Sequence, residues 1–221
     1  MHWRAATLHF LDFEGSLAGG VVEYGVAVLR GGDVVDATTR LCRPHGPLRR
    51  EDVAVHGIAE AEVADAAPLS ADWERFAGWR QHGPFGAHFA GTENALLKAV
   101  WPYGRGAPEF MRPGVTTNEW GPWVDTGRLL PRLYHGIGSA RLEDLVTQFG
   151  VGRELEASAE RFCPPARRRY HAALYDALAA ALLLRAALMR PEFETATVPW
   201  LLELSSLDPA EREARRQGEL F

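Results

Sequence analysis

Three β-prone segments at the start of the chain constrain its fold most strongly. Apolar, β-branched runs cover residues 7–13, 21–29 and 33–41, and the last two are separated by Gly31-Gly32. A Gly-Gly pair between two such runs is typical of a tight hairpin turn. We therefore predict three antiparallel strands, against which the helices of the remaining chain must pack.

After residue 41, helical and strand patterns alternate. This order favours an α/β domain with a mixed sheet flanked by helices. We predict short strands near 84–88 and 123–126, and helices near 70–79, 93–101, 126–134, 141–149 and 172–189. The Gly- and Pro-rich segment 102–122 is predicted to be a long surface loop, and the polar, basic segment 157–169 has no predicted element.

Composition narrows the class of protein. The 221 residues carry a net charge of −5, which excludes a generally basic nucleic-acid binder. The two cysteines, Cys42 and Cys163, lie far apart in sequence, so we expect reduced thiols and a cytoplasmic location. The most apolar stretch, 177–184, is much shorter than the about 20 residues of a membrane span, so we expect a buried helix and no membrane partner.

A pair of carboxylates stands at the predicted end of the first strand. Asp12 and Glu14 are two residues apart, so both side chains point to the same face while Phe13 points to the other. Their mutual repulsion would be offset by a divalent cation. The alternative is two solvated residues at a strand end, because the pattern D-x-E is common.

A third carboxylate, Asp176, begins the otherwise apolar helix near 172–189. His171 precedes Asp176 by five residues, which on one helix would place the two side chains about 140° apart. They can converge only if His171 lies at or before the helix start, and the polar run before it favours that arrangement. The alternative for Asp176 is a favourable charge near a helix N-terminus.

Four short motifs occur in a specific order: Leu11-Asp12-Phe13-Glu14-Gly15, His56-Gly57-Ile58, Gly86-Ala87-His88, and His171-x4-Asp176. Together they resemble the DEDDh family of 3′–5′ exonucleases over about residues 7 to 190. The histidine subclass is favoured, because the tyrosine subclass would place Tyr at position 172, where this chain has Ala172.

The resemblance implies an RNase H-like fold with a mixed five-stranded sheet flanked by helices. It also implies a site with two divalent metal ions, Mg²⁺ or Mn²⁺, in which Asp12, Glu14 and Asp176 match three of four carboxylates. His171 matches the general base. We expect an exonuclease domain over residues 1–191 and a C-terminal tail, 192–221, that packs on or extends from it.

The fourth carboxylate departs from the family pattern, which is roughly His-Asn-x-x-Phe-Asp. This chain has His88-Phe89-Ala90-Gly91-Thr92-Glu93. We expect Glu93 to take the fourth metal-site position, although it is one methylene longer than Asp. The alternative is that Glu93 is only a charge near a helix N-terminus. Asp125 is a second candidate for the fourth carboxylate, but we interpret it instead as a helix N-cap.

The resemblance also implies contacts with substrate. Gly15, Ser16 and His56 match segments that line the terminal nucleotide. Arg167, Arg168 and Arg169 form part of the densest basic run, and we expect them to contact backbone phosphates. The alternative is a solvated basic loop.

The predicted function is a metal-dependent exonuclease that hydrolyses phosphodiester bonds at 3′ ends of DNA or RNA and releases nucleoside 5′-monophosphates. Its partner would be single-stranded or 3′-end nucleic acid; a homodimer or a polymerase partner stays open. The altered segment 89–93 motivates the alternative, a non-catalytic nucleic-acid- or polymerase-binding module on a degenerate exonuclease fold. An unrelated metal phosphohydrolase would fit D-x-E but not the ordered set of motifs.

Overall fold

A mixed five-stranded sheet forms the centre of the computed structural model, which describes residues 1–206. The strands are β1 (Thr7–Ser16), β2 (Gly20–Arg30), β3 (Asp33–Leu41), β4 (Phe85–Ala87), β5 (Ala107–Pro108), β6 (Thr116–Thr117) and β7 (Val124–Asp125). The strand order of the main sheet is β3-β2-β1-β4-β7, with β1, β2 and β3 antiparallel and β4 and β7 parallel to β1. A separate two-stranded sheet pairs β5 with β6.

Helices cover both faces of the five-stranded sheet. The helices are α1 (Arg50–His56), α2 (Glu60–Val63), α3 (Trp73–His82), α4 (Ala90–Val100), α5 (Thr126–Leu133), α6 (Leu142–Gln148), α7 (Gly152–Phe162), α8 (Ala173–Leu188) and α9 (Val198–Ser205). One face packs against α8, with α5, α6, α7 and α9 around it, and the other face packs against α3 and α4. The prediction of three antiparallel strands followed by alternating helices and strands is confirmed.

The alternation of side chains along β1 decides which way the carboxylates point. Leu8 and Phe10 belong to the apolar cluster on the α8 face, whereas Phe13 stacks on Phe76 of α3 on the opposite face. Since side chains two residues apart share a face, the even-numbered positions of β1 all point toward α8. Asp12 and Glu14 therefore face the helix that carries Asp176.

Helix α8 is buried almost all round, because 14 of its 16 residues are buried. A helix that is apolar on every side belongs in a core, and this confirms the expectation of a buried helix over 177–184. Its first turn lies directly on Gly25 of β2. A Cβ atom at Gly25 would stand 2.2 Å from the backbone nitrogen of Leu174, so only glycine permits this approach.

Two segments differ from the sequence prediction. Helix α7 occupies a stretch in which we predicted no element, because its amphipathic pattern is masked by its many charged residues. The segment 102–122 is not simply a surface loop, since it contains β5 and β6 and buries Trp120 completely.

A fully buried guanidinium anchors the segment 102–122. Arg80 of α3 donates hydrogen bonds to the carbonyl oxygens of Trp120 at 2.9 Å, Pro108 at 3.0 Å and Gly121 at 3.0 Å. Its guanidinium carbon also lies 5.0 Å from the centre of the Phe110 ring. Burial lowers the pKa of Arg80 to about 10, which still leaves the side chain charged at neutral pH.

The first part of the predicted tail packs on the domain. Helix α9 contacts α5 and β7, and the hydroxyl of Ser205 accepts a hydrogen bond from the Asp125 amide at 2.9 Å. The predicted boundary at residue 191 stays a prediction, and residues 207–221 of the predicted tail lie outside the described residues. Within residues 1–206, the helices are all too short or too polar to cross a bilayer.

We expect Arg80→Met to lower the free energy of unfolding by about 3 kcal/mol, because the buried carbonyl oxygen of Trp120 and the part-buried ones of Pro108 and Gly121 would lose their donor. Urea unfolding measures this change. The matched control is Arg105→Gln, which removes only an exposed ion pair with Glu74 and should cost less than about 1 kcal/mol. Equal effects of the two substitutions would contradict the anchoring role of Arg80.

Candidate active site

Acidic side chains from distant parts of the chain meet beside the C-terminal end of β1. Glu14, His171 and Asp176 each offer a ligand atom, and these three atoms lie within 4.8 Å of one another. Glu14 and Asp176 are only 8% and 9% exposed, whereas His171 is exposed. Asp12, which is partly buried, adjoins this group on the same face of β1.

Glu93 reaches the same group from the opposite side of the sheet. It lies in the first turn of α4 and is buried, and the Phe13 backbone beside its carboxylate partly offsets the rise in its pKa. The negative charge of Glu93 has the largest electrostatic effect on the pKa of Asp12, followed by that of Asp176. The structure therefore brings all four predicted carboxylates together.

Burial and mutual repulsion make these carboxylates weak acids. Burial, with the charges of Asp176 and Glu23 added, raises the pKa of Glu14 to about 8. Burial likewise raises the pKa of Glu93 to about 8 and that of Asp176 to about 7. Burial and four neighbouring carboxylates raise the pKa of Asp12 well above its usual range.

Two buried oxygens in this cluster are available to a ligand. Glu93 Oε2 and Asp176 Oδ1 have no hydrogen-bond partner within residues 1–206. Buried polar atoms are normally satisfied, so an orphaned atom needs an explanation. Carboxylate oxygens are the ligands that Mg²⁺ and Mn²⁺ prefer. The donor set therefore fits a divalent cation, which would both satisfy these oxygens and offset the repulsion.

His171 lies just before α8, as the convergence with Asp176 requires. Its backbone has a φ of +59°, which is uncommon for a residue with a side chain. The His171 amide donates to Asp176 Oδ2 at 3.0 Å, so the helix carboxylate holds the histidine backbone directly.

The three arginines before His171 have different surroundings. Arg167 is bound to other groups of the protein: its side chain is only 15% exposed and forms an ion pair with Glu23 of β2. Arg168 and Arg169 are exposed, although each donates to backbone carbonyl oxygens. Arg168 and Arg169 are thus better placed than Arg167 for the predicted phosphate contact, which stays a prediction for all three.

The predicted nucleotide contacts lie at the same end of the sheet. Gly15 has a φ of +126° where the pairing of β1 with β2 shifts register, and the Ser16 hydroxyl accepts from the Gly19 amide at 3.2 Å. His56, at the end of α1, is buried; its Nδ1 accepts from the Ile58 amide at 3.0 Å, and its Nε2 has no partner among the described residues. Burial and the charge of Arg167 lower the pKa of His56, which favours the neutral ring. The nucleotide-binding roles of these residues stay predictions.

Asp125 has the capping role that we predicted, and a second role besides. Its Oδ1 accepts from the Arg128 amide at 3.3 Å at the start of α5. The same carboxylate accepts from the amides of Phe89 and Ala90, each at 3.0 Å. Phe89 has a φ of +60°, so Asp125 fixes the unusual backbone from which α4 and Glu93 begin.

Glu23 also lies beside this group, and the sequence analysis missed it. It stands directly opposite Glu14 in the β1–β2 pairing and is 2% exposed. A signal was available: a charged residue within the apolar run 21–29 is unusual for a buried strand. Its position opposite Glu14 depends on the register, which the sequence alone does not fix.

Comparisons with known proteins agree with this geometry. No family model matches the chain. Exodeoxyribonuclease 10 of Escherichia coli (strain K12) is 28% identical over 180 residues, which are 80% of this chain and 66% of that relative. The chain thus spans slightly less than two thirds of the curated relative.

Solved structures share the fold over most of the chain. Exonuclease X in complex with 5′-overhanging duplex DNA is 25% identical, with a TM-score of 0.65, and covers 90% of this chain and 99% of that one. The nuclease domain of 3′hExo, a DEDDh family member, bound to rAMP, is 13% identical, with a TM-score of 0.60. The match covers 84% of this chain and 92% of that one. The RNase H-like fold and the resemblance to DEDDh-type 3′–5′ exonucleases are thereby confirmed.

Proposed function

We propose that this protein is a 3′–5′ exonuclease that removes nucleotides from the 3′ end of DNA. The observation that carries the proposal is the convergence of Asp12, Glu14, Glu93 and Asp176 beside His171. DNA is proposed because Exodeoxyribonuclease 10 is named for DNA and Exonuclease X is bound to it. RNA stays a substrate to be tested, since a more distant neighbour is bound to rAMP.

The four carboxylates would hold two divalent cations, Mg²⁺ or Mn²⁺. Bound there, the cations would lower the pKa of a water molecule and neutralise charge on the scissile phosphate. The orphaned oxygens of Glu93 and Asp176 support this assignment. Without cations, a cluster of negative side chains would repel a nucleic-acid phosphate, so we expect weak substrate binding by the metal-free protein.

His171 would act as the general base. Its exposed ring lies within reach of the cluster and would take a proton from the attacking water at a ring nitrogen. The water oxygen forms a bond to phosphorus, the bond from phosphorus to the 3′ oxygen breaks, and that oxygen gains a proton. The products are a nucleoside 5′-monophosphate and a chain shortened by one nucleotide.

Neighbouring groups would position the substrate. The neutral His56 ring and the Gly15-Ser16 turn would line the terminal nucleotide. Arg168 and Arg169 would contact backbone phosphates, which predicts salt-sensitive binding without sequence preference. The buried free thiols of Cys42 and Cys163 fit a reducing compartment, and we propose the cytoplasm.

We expect Asp12→Ala and His171→Ala each to lower nucleotide release by at least about 100-fold, because one removes a metal ligand and the other the base. The assay follows release from matched labelled DNA and RNA single strands with Mn²⁺. His135→Ala, which changes an exposed histidine between α5 and α6, is the control and should retain activity. A wild-type protein that binds these strands without cleaving them would instead indicate a non-catalytic binding module.

Substitutions of Glu93 test whether it replaces the family aspartate. Glu93→Gln should lower kcat by about 100-fold and Glu93→Asp by about 10-fold, since the first removes the charge and the second shortens its reach from α4. The control is Glu74→Gln, which changes an exposed acid in the first turn of α3. Full activity of Glu93→Gln would mean that Glu93 is only a charge near a helix N-terminus.

The raised carboxylate pKa values predict how stability depends on pH. Glu14 and Glu93, with pKa values of about 8 against the ordinary 4.5, hold protons that the unfolded chain has released. Stability of the metal-free protein should therefore fall as pH rises from about 4.5 to about 8. At pH 8, Mn²⁺ at 100 times its Kd should restore about 2.7 kcal/mol.

Thermal unfolding with EDTA or Mn²⁺ at pH 6 and pH 8 measures this effect. Protons compete with the cation for the carboxylates, so Mn²⁺ should raise Tm more at pH 8 than at pH 6. The double variant Asp12→Asn/Glu14→Gln should lose most of the Mn²⁺ effect. An equal Mn²⁺ effect in the double variant and the wild type would contradict cation binding at this cluster.

A further inference from the structure

The buried charge of Glu23 requires a partner. Glu23 faces α8 directly opposite Glu14 and is 2% exposed. Like charges directly opposite each other on neighbouring strands destabilise a sheet, and a buried charge must be paired. Its presence on this face therefore points to a role that outweighs these costs.

Arg167 supplies the compensating charge in a two-point contact. Its Nε donates to Glu23 Oε1 at 3.1 Å, and its Nη2 donates to Glu23 Oε2. Such bidentate pairs fix geometry as well as charge. The pair joins β2 of the sheet to the segment before His171.

The same two side chains hold the backbone at His171 and just after it. Arg167 Nη2 donates to the His171 carbonyl oxygen at 3.2 Å, and Glu23 Oε2 accepts from the Ala173 amide at 3.0 Å. His171 has a φ of +59°, a conformation that persists only where the surroundings impose it. The ion pair provides two of the contacts that impose it, and Asp176 provides a third.

Arg167 also reaches the turn that carries His56. Its Nη1 donates to the His56 carbonyl oxygen at 2.6 Å, and Arg169 Nη2 donates to the same oxygen at 2.9 Å. One guanidinium therefore binds the sheet, the His171 segment and the His56 turn at once. A group engaged at three points is suited to fixing these parts relative to one another.

We propose that the Glu23–Arg167 ion pair positions His171 for catalysis and links it to the His56 turn. This inference rests on the proposed exonuclease function. Glu23 and Arg167 are positioning residues: they act through the backbone of His171 and have no contact with the reacting atoms. The role differs from the phosphate contact that the sequence suggested for Arg167, and the two roles predict different kinetics.

Steady-state kinetics at several salt concentrations separate these roles. Arg167→Gln should lower kcat about 10- to 100-fold with KM changed less than about 3-fold and an unchanged salt dependence. Arg167→Lys, which keeps the charge but not the two-point contact, should also lower kcat. The matched control is Arg153→Gln, an exposed arginine of α7. An unchanged kcat with a raised KM and a weaker salt dependence would overturn the proposal in favour of a phosphate contact.

Hydrogen exchange tests the positioning without substrate or cation. In Arg167→Gln, amides of residues 168–173 should exchange at least about 10-fold faster, while those of β1 and β2 keep their wild-type rates. Because Arg167→Gln leaves Glu23 buried and unpaired and could unfold the protein, the double variant Glu23→Gln/Arg167→Gln is measured as well. Unchanged exchange in the folded double variant would overturn the proposal. An inactive wild type would refute the proposed function, and the exchange result would still decide whether the pair fixes the segment.

Discussion

The packing of the first turn of α8 on the β1–β2 pair brings together groups that repel one another. Gly25 lets the backbone of Leu174 approach the sheet more closely than any other residue would allow. Asp176 is thereby buried beside Glu14, at a free-energy cost of both desolvation and repulsion. A protein retains such an arrangement where its chemistry requires it, and a site for divalent cations is the requirement that these oxygen ligands fit.

The rest of the fold resists this repulsion. Helix α8 is held by burial along nearly its whole length, and α4 is fixed at its start by the Asp125 carboxylate. Within the Glu23–Arg167 pair, the positive charge of Arg167 acts to lower the pKa of both Glu14 and Asp176 and so opposes the effect of Glu23, which raises them. These contacts are made by residues outside the carboxylate cluster, so the arrangement of the cluster depends on these contacts as much as on the carboxylates themselves.

Local patterns were sufficient to predict the antiparallel part of the sheet and the face to which Asp12 and Glu14 point. The β-prone runs with Gly31-Gly32 predicted the antiparallel strands, and the two-residue spacing of Asp12 and Glu14 predicted that both side chains share one face. The position of His171 before α8 also followed from simple helical geometry. These features depend on residues close together in sequence, for which periodicity and turn preferences are informative.

The features that sequence reasoning missed depend on contacts between distant segments. Glu23 meets Arg167 across 144 positions, and Arg80 bonds to carbonyl oxygens up to 41 positions away. A charged residue in an apolar run signals that a partner exists, but not which one. For the same reason, the sequence predicted a phosphate contact for Arg167 within a basic run, whereas in the structure Arg167 forms an ion pair with Glu23.

A crystal structure grown with Mn²⁺ and a nucleoside 5′-monophosphate tests the central claim most directly. The account predicts two anomalous peaks about 4 Å apart among Asp12, Glu14, Glu93 and Asp176, with the nucleotide phosphate beside them. Crystals in saturating Mn²⁺ with no anomalous peak at this cluster would contradict it.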